Sequence, residues 1–539
     1  MPGIVGFTHR QQGRELIART LRGMQQAITH LPDYRAHALF HHDEFACTCC
    51  HSRQQTSPPQ PLDDDGMLLW FEGEIYNPDA FGLPADSTAL EALLRLIRRQ
   101  PDFSFLAKLD GVFAAVVYDP GERRLHLFTD RAGMSRLCWT IVDNQLLWAA
   151  EVKALPAHPL FSPRIDRESL RQYLERGLSY LRGERTWFEG VSVLPLGTVM
   201  TWDLRTNRAS FQRAWSWQDI EPLPERLDPD EVIEELGRRF LRAVERRCRP
   251  GERVGLQLSG GLDSRAILAA MVKTDTPIHA LTFGTIGDPE IEIAAQAAKI
   301  KGAIHHPYYL QEDNWLNGRS DLVWQLDGEL NVIHAHFICL LPAMKEVFDV
   351  NLSGYLGDAT IGGSYINAQR IDEREHLADR GRRLIRTGER MIDIHMRSRQ
   401  PFFDVDFIDL AMALPISWRR ESVIYRQMLL RFFPRFFESV PWQKTKRPAS
   451  VPSIMTWRRP TYPSFHPYDQ WLRLGAGKRL IEETLFAERA LYTEFVARET
   501  VEKLWRNHLN GAEQTEMLGR YLTFEIWLQQ VFEKKRRPA

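Results

Sequence analysis

The chain has almost no net charge. Over 539 residues, 69 Lys and Arg stand against 70 Asp and Glu, a formal balance of -1. That balance removes any global electrostatic case for nucleic acid or a membrane surface as partner. No apolar run reaches the roughly 18 residues that a spanning helix needs. The N-terminus lacks a basic-then-apolar signal pattern. Six cysteines in a chain this long do not make a disulfide scaffold. Internal repeats and low-complexity tracts are lacking too. These absences leave a cytoplasmic enzyme of two or more domains as the expectation.

What is present falls into two parts. Residues 1–215 read as short strands, among them "MPGIVGF", "MLLWFEGEIYN", "GVFAAVVYD", "RRLHLFTDR" and "QLLWAAE". One helix, "DSTALEALLRLIRRQ", interrupts them. An α+β sandwich of sheets fits this pattern. The Pro- and charge-rich stretch "DIEPLPERLDPDE", residues 219–231, marks a boundary. From 225 to 539 a second domain begins with a helix, and then strands alternate with helices. The runs are "RVGLQL", "SRAILAAMVK", "IHALTFG", "IEIAAQAAKIKG" and "DVNLSG". Alternation of this kind predicts a parallel, helix-covered sheet. The chain then turns mostly helical, rich in Arg and Trp.

Two local patterns carry chemistry. In "LQLSGGLDSRAILAA" a strand runs into Ser259-Gly260-Gly261-Leu262-Asp263-Ser264 and a helix starts at once. The glycines let backbone N–H groups curl around an anion at the helix N-terminus. Asp263 suits such a loop if Mg²⁺ sits between it and a phosphate. The Gly-Lys-Ser/Thr end of a Walker loop is missing. The second pattern is "CTCCHSR", with Cys47, Cys49, Cys50 and His51. A metal is conceivable there. However, no second Cys/His pair follows at finger-like spacing, and adjacent Cys49 and Cys50 chelate one ion poorly. A local strand or loop is the expectation.

The SGGLDS loop resembles the pyrophosphate loop of the ATP-pyrophosphatase superfamily, and further motifs narrow the resemblance to the asparagine synthetase type. They are "LTFG" (Leu281, Thr282, Phe283, Gly284), "LSGYLGDATIGGSY" (352–365), "PFFD" (401–404) and "VPWQKTKRP" (440–448). The resemblance implies an Ntn-hydrolase-like sandwich, then an α/β ATP-pyrophosphatase domain with a helical C-terminal part. It implies ATP and Mg²⁺, with Asp263 and Asp358 as metal ligands and Leu281–Gly284 and Gly354 beside the nucleotide. Lys444 matches the lysine that stabilises pyrophosphate. Lys446 is a rival, and in a strand the two would share a face. The family's Glu after Ser-Gly is here Tyr355, and the Gly after it is Leu356. The β-lactam synthetases carry Tyr there, in a dyad with a Glu further along, and Glu389 lies in a plausible region for that partner. The run Arg380, Arg382, Arg383, Arg386 and Arg390 reads as a solvated basic helix, with a docking surface for peptide or phosphate as the alternative.

The first half of the resemblance is damaged. Pro2 stands where related glutaminases have their Cys nucleophile, and proline has no nucleophilic side chain. Glu72 stands where they have an oxyanion-donating Asn, and a carboxylate cannot donate. Arg53 and Asp86 fall where the family binds glutamine. The expectation is therefore an amide synthetase that takes no nitrogen from glutamine. Lasso peptide cyclases, which act on a precursor peptide and have a leader protease as companion, are closest in logic. A β-lactam- or carbapenam-type small-molecule cyclase, an ammonia-dependent ligase and a catalytically silent binding protein are the alternatives.

Overall fold

The strand Gly3–Thr8 is buried along its whole length and sits in the middle of an antiparallel sheet. We describe the protein from a computed structural model, over residues 3–10, 13–52, 58–84, 87–175, 180–224, 226–272, 276–366, 372–451 and 466–534. The first sheet runs in the order Ser192–Val193, Cys138–Val142, Gln145–Ala149, Gly3–Thr8, Phe45–His51, Arg35–Ala36, with Phe40–His41 also on Phe45–His51. The second runs Arg208–Arg213, Thr198–Asp203, Arg124–Thr129, Gly111–Asp119, Met67–Ile75, Leu62–Asp64. Between them Ile4, Cys47, Cys49, Trp70, Val116, Trp148 and Trp202 form an apolar layer. Two-residue alternation puts those side chains on the inner faces. Helix Arg14–Ala27 covers the outside of the first sheet through Ile17, Leu21 and Met24. Helix Ala89–Arg99 covers the second, and its start is set by a capping box between Thr88 and Glu91.

Past the linker, Asp228 caps helix Pro229–Glu245 and a third sheet follows. Its five strands are all parallel, in the order Ile304–Tyr309, His279–Gly284, Val254–Gln257, Val350–Leu352, Arg397–Arg399. In chain order this is 3-2-1-4-5. The order reverses between the first strand and the fourth, and an open parallel sheet binds ligands beyond its strand ends at that point. The SGGLDS loop leaves the first of these strands and the Ser353–Asp358 loop leaves the fourth. No helix among the described residues is long and apolar enough to cross a membrane.

One expectation fails here, and one condition weighed in the sequence is not met. The arginine run is not a solvated basic helix. Residues Leu377–Ile385 form a π-helical stretch that continues as helix Arg386–His395, and four of the five arginines are buried against the N-terminal sandwich. Arg382 donates to the Leu194 carbonyl, Arg383 to those of Gly183 and Arg185, and Arg386 to that of Met134. Arg383 and Arg390 also converge with Arg136 on buried Glu329. Burial raises the Glu329 carboxyl, but the three guanidinium groups outweigh it and hold it below its ordinary value. Only Arg380 faces the cleft described below, donating to the Tyr365 hydroxyl at 2.8 Å. The Lys444 segment is not a strand either. Trp442 pairs with Arg447 across a tight turn, and Lys446 has φ +56°. The two lysines therefore do not share a face.

Candidate nucleotide-binding and synthetase site

At the reversal point lies a cleft of about 2300 Å³. The phosphate loop forms its floor. Within the loop the Ser259 and Ser264 hydroxyls lie 3.0 Å apart, and Ser264 Oγ accepts the Ser259 N–H at 3.0 Å. Gly261 N–H donates to Ser259 Oγ at 3.2 Å, and helix Leu262–Ala270 begins directly behind it. Buried Arg265 donates to the Gly261 carbonyl at 2.8 Å and to the Phe436 and Val440 carbonyls. The Gln443 N–H reaches the Gly260 carbonyl at 3.1 Å. These bonds fasten the Lys444 segment to the phosphate loop. Lys444 consequently lines the cleft, with its ammonium 5.3 Å from the Trp442 ring centre, whereas Lys446 is not among the lining residues.

Asp263 is gripped from both sides. The Tyr425 hydroxyl donates to Oδ1 at 2.8 Å and the Asp358 N–H to Oδ2 at 2.9 Å. Gly354 and Gly357 wall it in. A Cβ on Gly354 would lie 2.9 Å from the Asp263 Cβ, and one on Gly357 2.7 Å from its Cγ. Only glycine permits that approach. Burial first, and the neighbouring Asp358 carboxylate second, push the Asp263 carboxyl up to about 7. Two neighbouring carboxylates beside an anion-binding loop suit a hard divalent cation with oxygen ligands. Asp263 and Asp358 are the residues that would hold Mg²⁺. Leu356 adopts φ +54°, a conformation costly for leucine and free for the family's glycine.

The other sequence-predicted residues divide. Leu281, Thr282, Phe283 and Gly354 line the cleft. The Thr282 hydroxyl is spent on the Leu258 carbonyl at 2.7 Å. Gly284 sits behind, against Asp288, and Gly260 acts through its backbone. Tyr355 and Glu389 both line the cleft, but they form no hydrogen bond to each other. The Tyr355 hydroxyl donates instead to the Gly381 carbonyl at 2.8 Å. Glu389 accepts from Ser398 Oγ at 2.9 Å and from Ser353, and burial raises its carboxyl. Sequence reasoning missed Tyr425. It also missed Glu290, whose carboxyl accepts the Gly260 N–H and is raised by burial to about 7. Neither has a local signal: Tyr425 is distant in sequence, and Glu290 reads as an ordinary first-turn glutamate.

The candidate oxyanion position in the first half is different. Glu72 is buried and paired with Arg397 at 3.1 Å, and Glu74 is paired with Arg399 at 2.7 Å. The two glutamates share one strand face and the two arginines another, so the pairs stack across the domain interface. Burial pushes the Glu72 carboxyl up against the pull of Arg397. Burial also disfavours the Glu74 carboxylate, but Arg399 and Arg249 outweigh it and hold Glu74 far below the carboxylate range. The space bounded by Glu72, Glu74, Ser135, Asp393 and Arg397 is about 20 Å³, room for a single water. Pro2, Arg53 and Asp86 lie outside the described residues.

An antiparallel amidotransferase-type sandwich followed by a parallel nucleotide-binding sheet defines a synthetase of the glutamine-amidotransferase architecture. The comparisons agree with that class. Residues 1–215 match the glutamine amidotransferase domain family, and residues 235–393 and 383–529 match the asparagine synthase family. The chain belongs to the asparagine synthase family, a family of ATP-dependent carbon–nitrogen ligases. It is 25% identical over 391 residues to asparagine synthetase [glutamine-hydrolyzing] 2 of Bacillus subtilis, covering 67% of this chain and 52% of that one. To a putative asparagine synthetase of Methanocaldococcus jannaschii it is 24% identical over 408 residues, 69% of this chain and 76% of that one. To carboxyethyl-arginine beta-lactam-synthase of Streptomyces clavuligerus it is 28% identical over 306 residues, 54% and 55%. The chain thus spans about half the length of the first and third of these relatives. Among solved structures, a Bacillus subtilis glutamine phosphoribosylpyrophosphate amidotransferase reaches a TM-score of 0.27 at 14% identity, over 57% of this chain and 65% of that one.

Proposed function

We propose that this protein is an AMP- and pyrophosphate-forming amide synthetase that activates a carboxylate and joins it to an amine without hydrolysing glutamine. A carboxylate oxygen attacks the α-phosphorus of ATP and pyrophosphate leaves. The amine nitrogen then attacks the acyl carbon, AMP leaves, and the nitrogen gives up a proton. The phosphate loop and helix Leu262–Ala270 hold the polyphosphate, and Asp263 and Asp358 hold Mg²⁺, which neutralises phosphate charge when bound. Lys444 stabilises the departing pyrophosphate. Tyr355 and Glu389, which both line the cleft, are the candidates to receive the amine proton. Glu389 reaches Tyr355 only if the Tyr355 hydroxyl leaves the Gly381 carbonyl.

Ring closure of a lasso peptide is the reading we favour, with a precursor peptide as substrate and a leader protease as companion. The observation that carries it is the size of the cleft. Its volume of about 2300 Å³ has to take ATP besides the acyl substrate, and it still exceeds the roughly 300–1,000 Å³ of one ordinary small-molecule site. The beta-lactam-synthase relative and Tyr355 favour small-molecule cyclisation as the second reading. Mass spectrometry of candidate linear peptides incubated with Mg·ATP and no glutamine separates the two. A peptide lighter by one water, with AMP formed in step, supports the first. AMP formed only with a small β-amino acid selects the second.

A further inference from the structure

The CTCCHSR stretch is used by nothing described so far, yet the fold gives it partners that the sequence does not reveal. In strand Phe45–His51, Cys49 and His51 are two residues apart and share a face. Cys47 belongs to the same apolar layer as Cys49, whereas Cys50 belongs to the cluster on the other face. The three cysteines therefore cannot hold one ion, as the sequence suggested. The neighbouring strand supplies a different third group. Arg35 and Ala36 pair with His51 and Cys50, and the His37 N–H then donates to the Cys49 carbonyl at 2.9 Å. Register alone thus sets His37 beside Cys49.

We propose that His37, Cys49 and His51 form a zinc site inside the N-terminal sandwich. One ligand atom from each lies within 4.8 Å of the others, and no other group of three such residues does so among the described residues. Cys49 Sγ and His51 Nε2 are 3.7 Å apart. A tetrahedral Zn²⁺ with bonds of about 2.3 Å to sulfur and about 2.0 Å to nitrogen requires roughly 3.5 Å. The two imidazoles meet edge to face with centroids 4.7 Å apart. Cys49 and His51 are buried and His37 is half-buried, which leaves one side open for the ion to arrive.

Gln60 completes the arrangement. Its carboxamide is pinned by the Phe71 N–H at 2.9 Å and the Phe71 carbonyl at 2.8 Å. From there its oxygen accepts the Cys49 thiol at 3.2 Å and its nitrogen contacts His51 Nε2 at 3.0 Å, while its backbone N–H donates to His37 Nδ1 at 3.2 Å. The three candidate ligands therefore converge on one fixed residue. Zinc binding would displace the thiol proton and exchange the contacts of Cys49 Sγ and His51 Nε2 with Gln60 for coordination. The ion would clamp the short edge strand Arg35–Ala36 to the centre of the sheet.

The test is metal analysis of the full-length protein. The expected result is about one zinc per chain, retained in Asp358→Ala, whose substitution touches only the synthetase cation position. After chelation, cobalt(II) added back should give thiolate-to-cobalt charge-transfer absorption, abolished in Cys49→Ser and weakened at least about tenfold in affinity in His37→Ala. His37 sits at the half-buried rim, so its replacement keeps the test open if Cys49→Ser does not fold. Protein without zinc that also shows no charge-transfer band with cobalt would overturn the proposal. So would a band that survives in both variants.

Discussion

Glu72, Glu74, Arg386 and Arg397 are each spent on a protein partner around a space of about 20 Å³. Asp263, Asp358 and Lys444 instead face a cleft of about 2300 Å³. Both regions descend from a two-site architecture, and both keep their strands. The difference lies in what their polar groups are doing. In the first half, charge is neutralised internally and holds the domains together. In the second, charge is positioned by neighbours and left facing an open cleft. Fold alone therefore does not tell the two halves apart, whereas the partners of their buried polar groups do.

The contrast breaks most sharply at Asp263. Asp263→Ala or Asp358→Ala should lower ATP–pyrophosphate exchange by about a thousandfold while unfolding stays cooperative. Exchange near the wild-type rate would remove the second half from its role. At Glu72 the expected effect is on stability. Arg397→Ala leaves a buried carboxylate unpaired and should cost about 3–5 kcal/mol in denaturant unfolding. The double variant Glu72→Leu/Arg397→Met should recover most of that loss, and failure to recover would mean the pair is more than a plug.

Lys444→Ala should cut turnover by about a hundredfold with ATP affinity nearly unchanged, and Lys446→Ala should do neither. The opposite pattern would reassign the lysine. Tyr425→Phe removes one of the two grips on Asp263. The affinity for Mg·ATP, read by calorimetry, should fall about tenfold, the worth of a hydrogen bond to a charged group. An unchanged affinity would make Tyr425 a packing residue only. The smallest effect sharpens the comparison from the other side. Pro2→Cys with Glu72→Asn puts back the residue types of related glutaminases, yet it should yield no glutamate from glutamine, because Arg397 remains buried beside position 72 where an oxyanion donor would act.

The sequence shows some of this clearly, and the reason is locality. SGGLDS is readable because strand, loop and helix lie within fifteen residues, and their geometry follows from glycine and a helix N-terminus. The parallel sheet is readable from alternating patterns. The arginine run is not. A basic helix in water and a basic helix against carbonyls look alike in sequence, and the carbonyls of Met134, Gly183 and Leu194 belong to another domain. Lys444 and Lys446 diverge because a turn closed by Trp442 and Arg447 holds the segment, not a strand in which they would share a face. Cys49, His51 and Gln60 meet His37 through strand register, which composition does not encode.

The central claim is that the amide nitrogen arrives on the substrate. The most direct measurement supplies the purified protein with Mg·ATP, an accepted carboxylate–amine substrate and glutamine labelled at its amide nitrogen. The account predicts an amide product with no label and no glutamate released. Label in the product, with one glutamate formed per AMP, would contradict it.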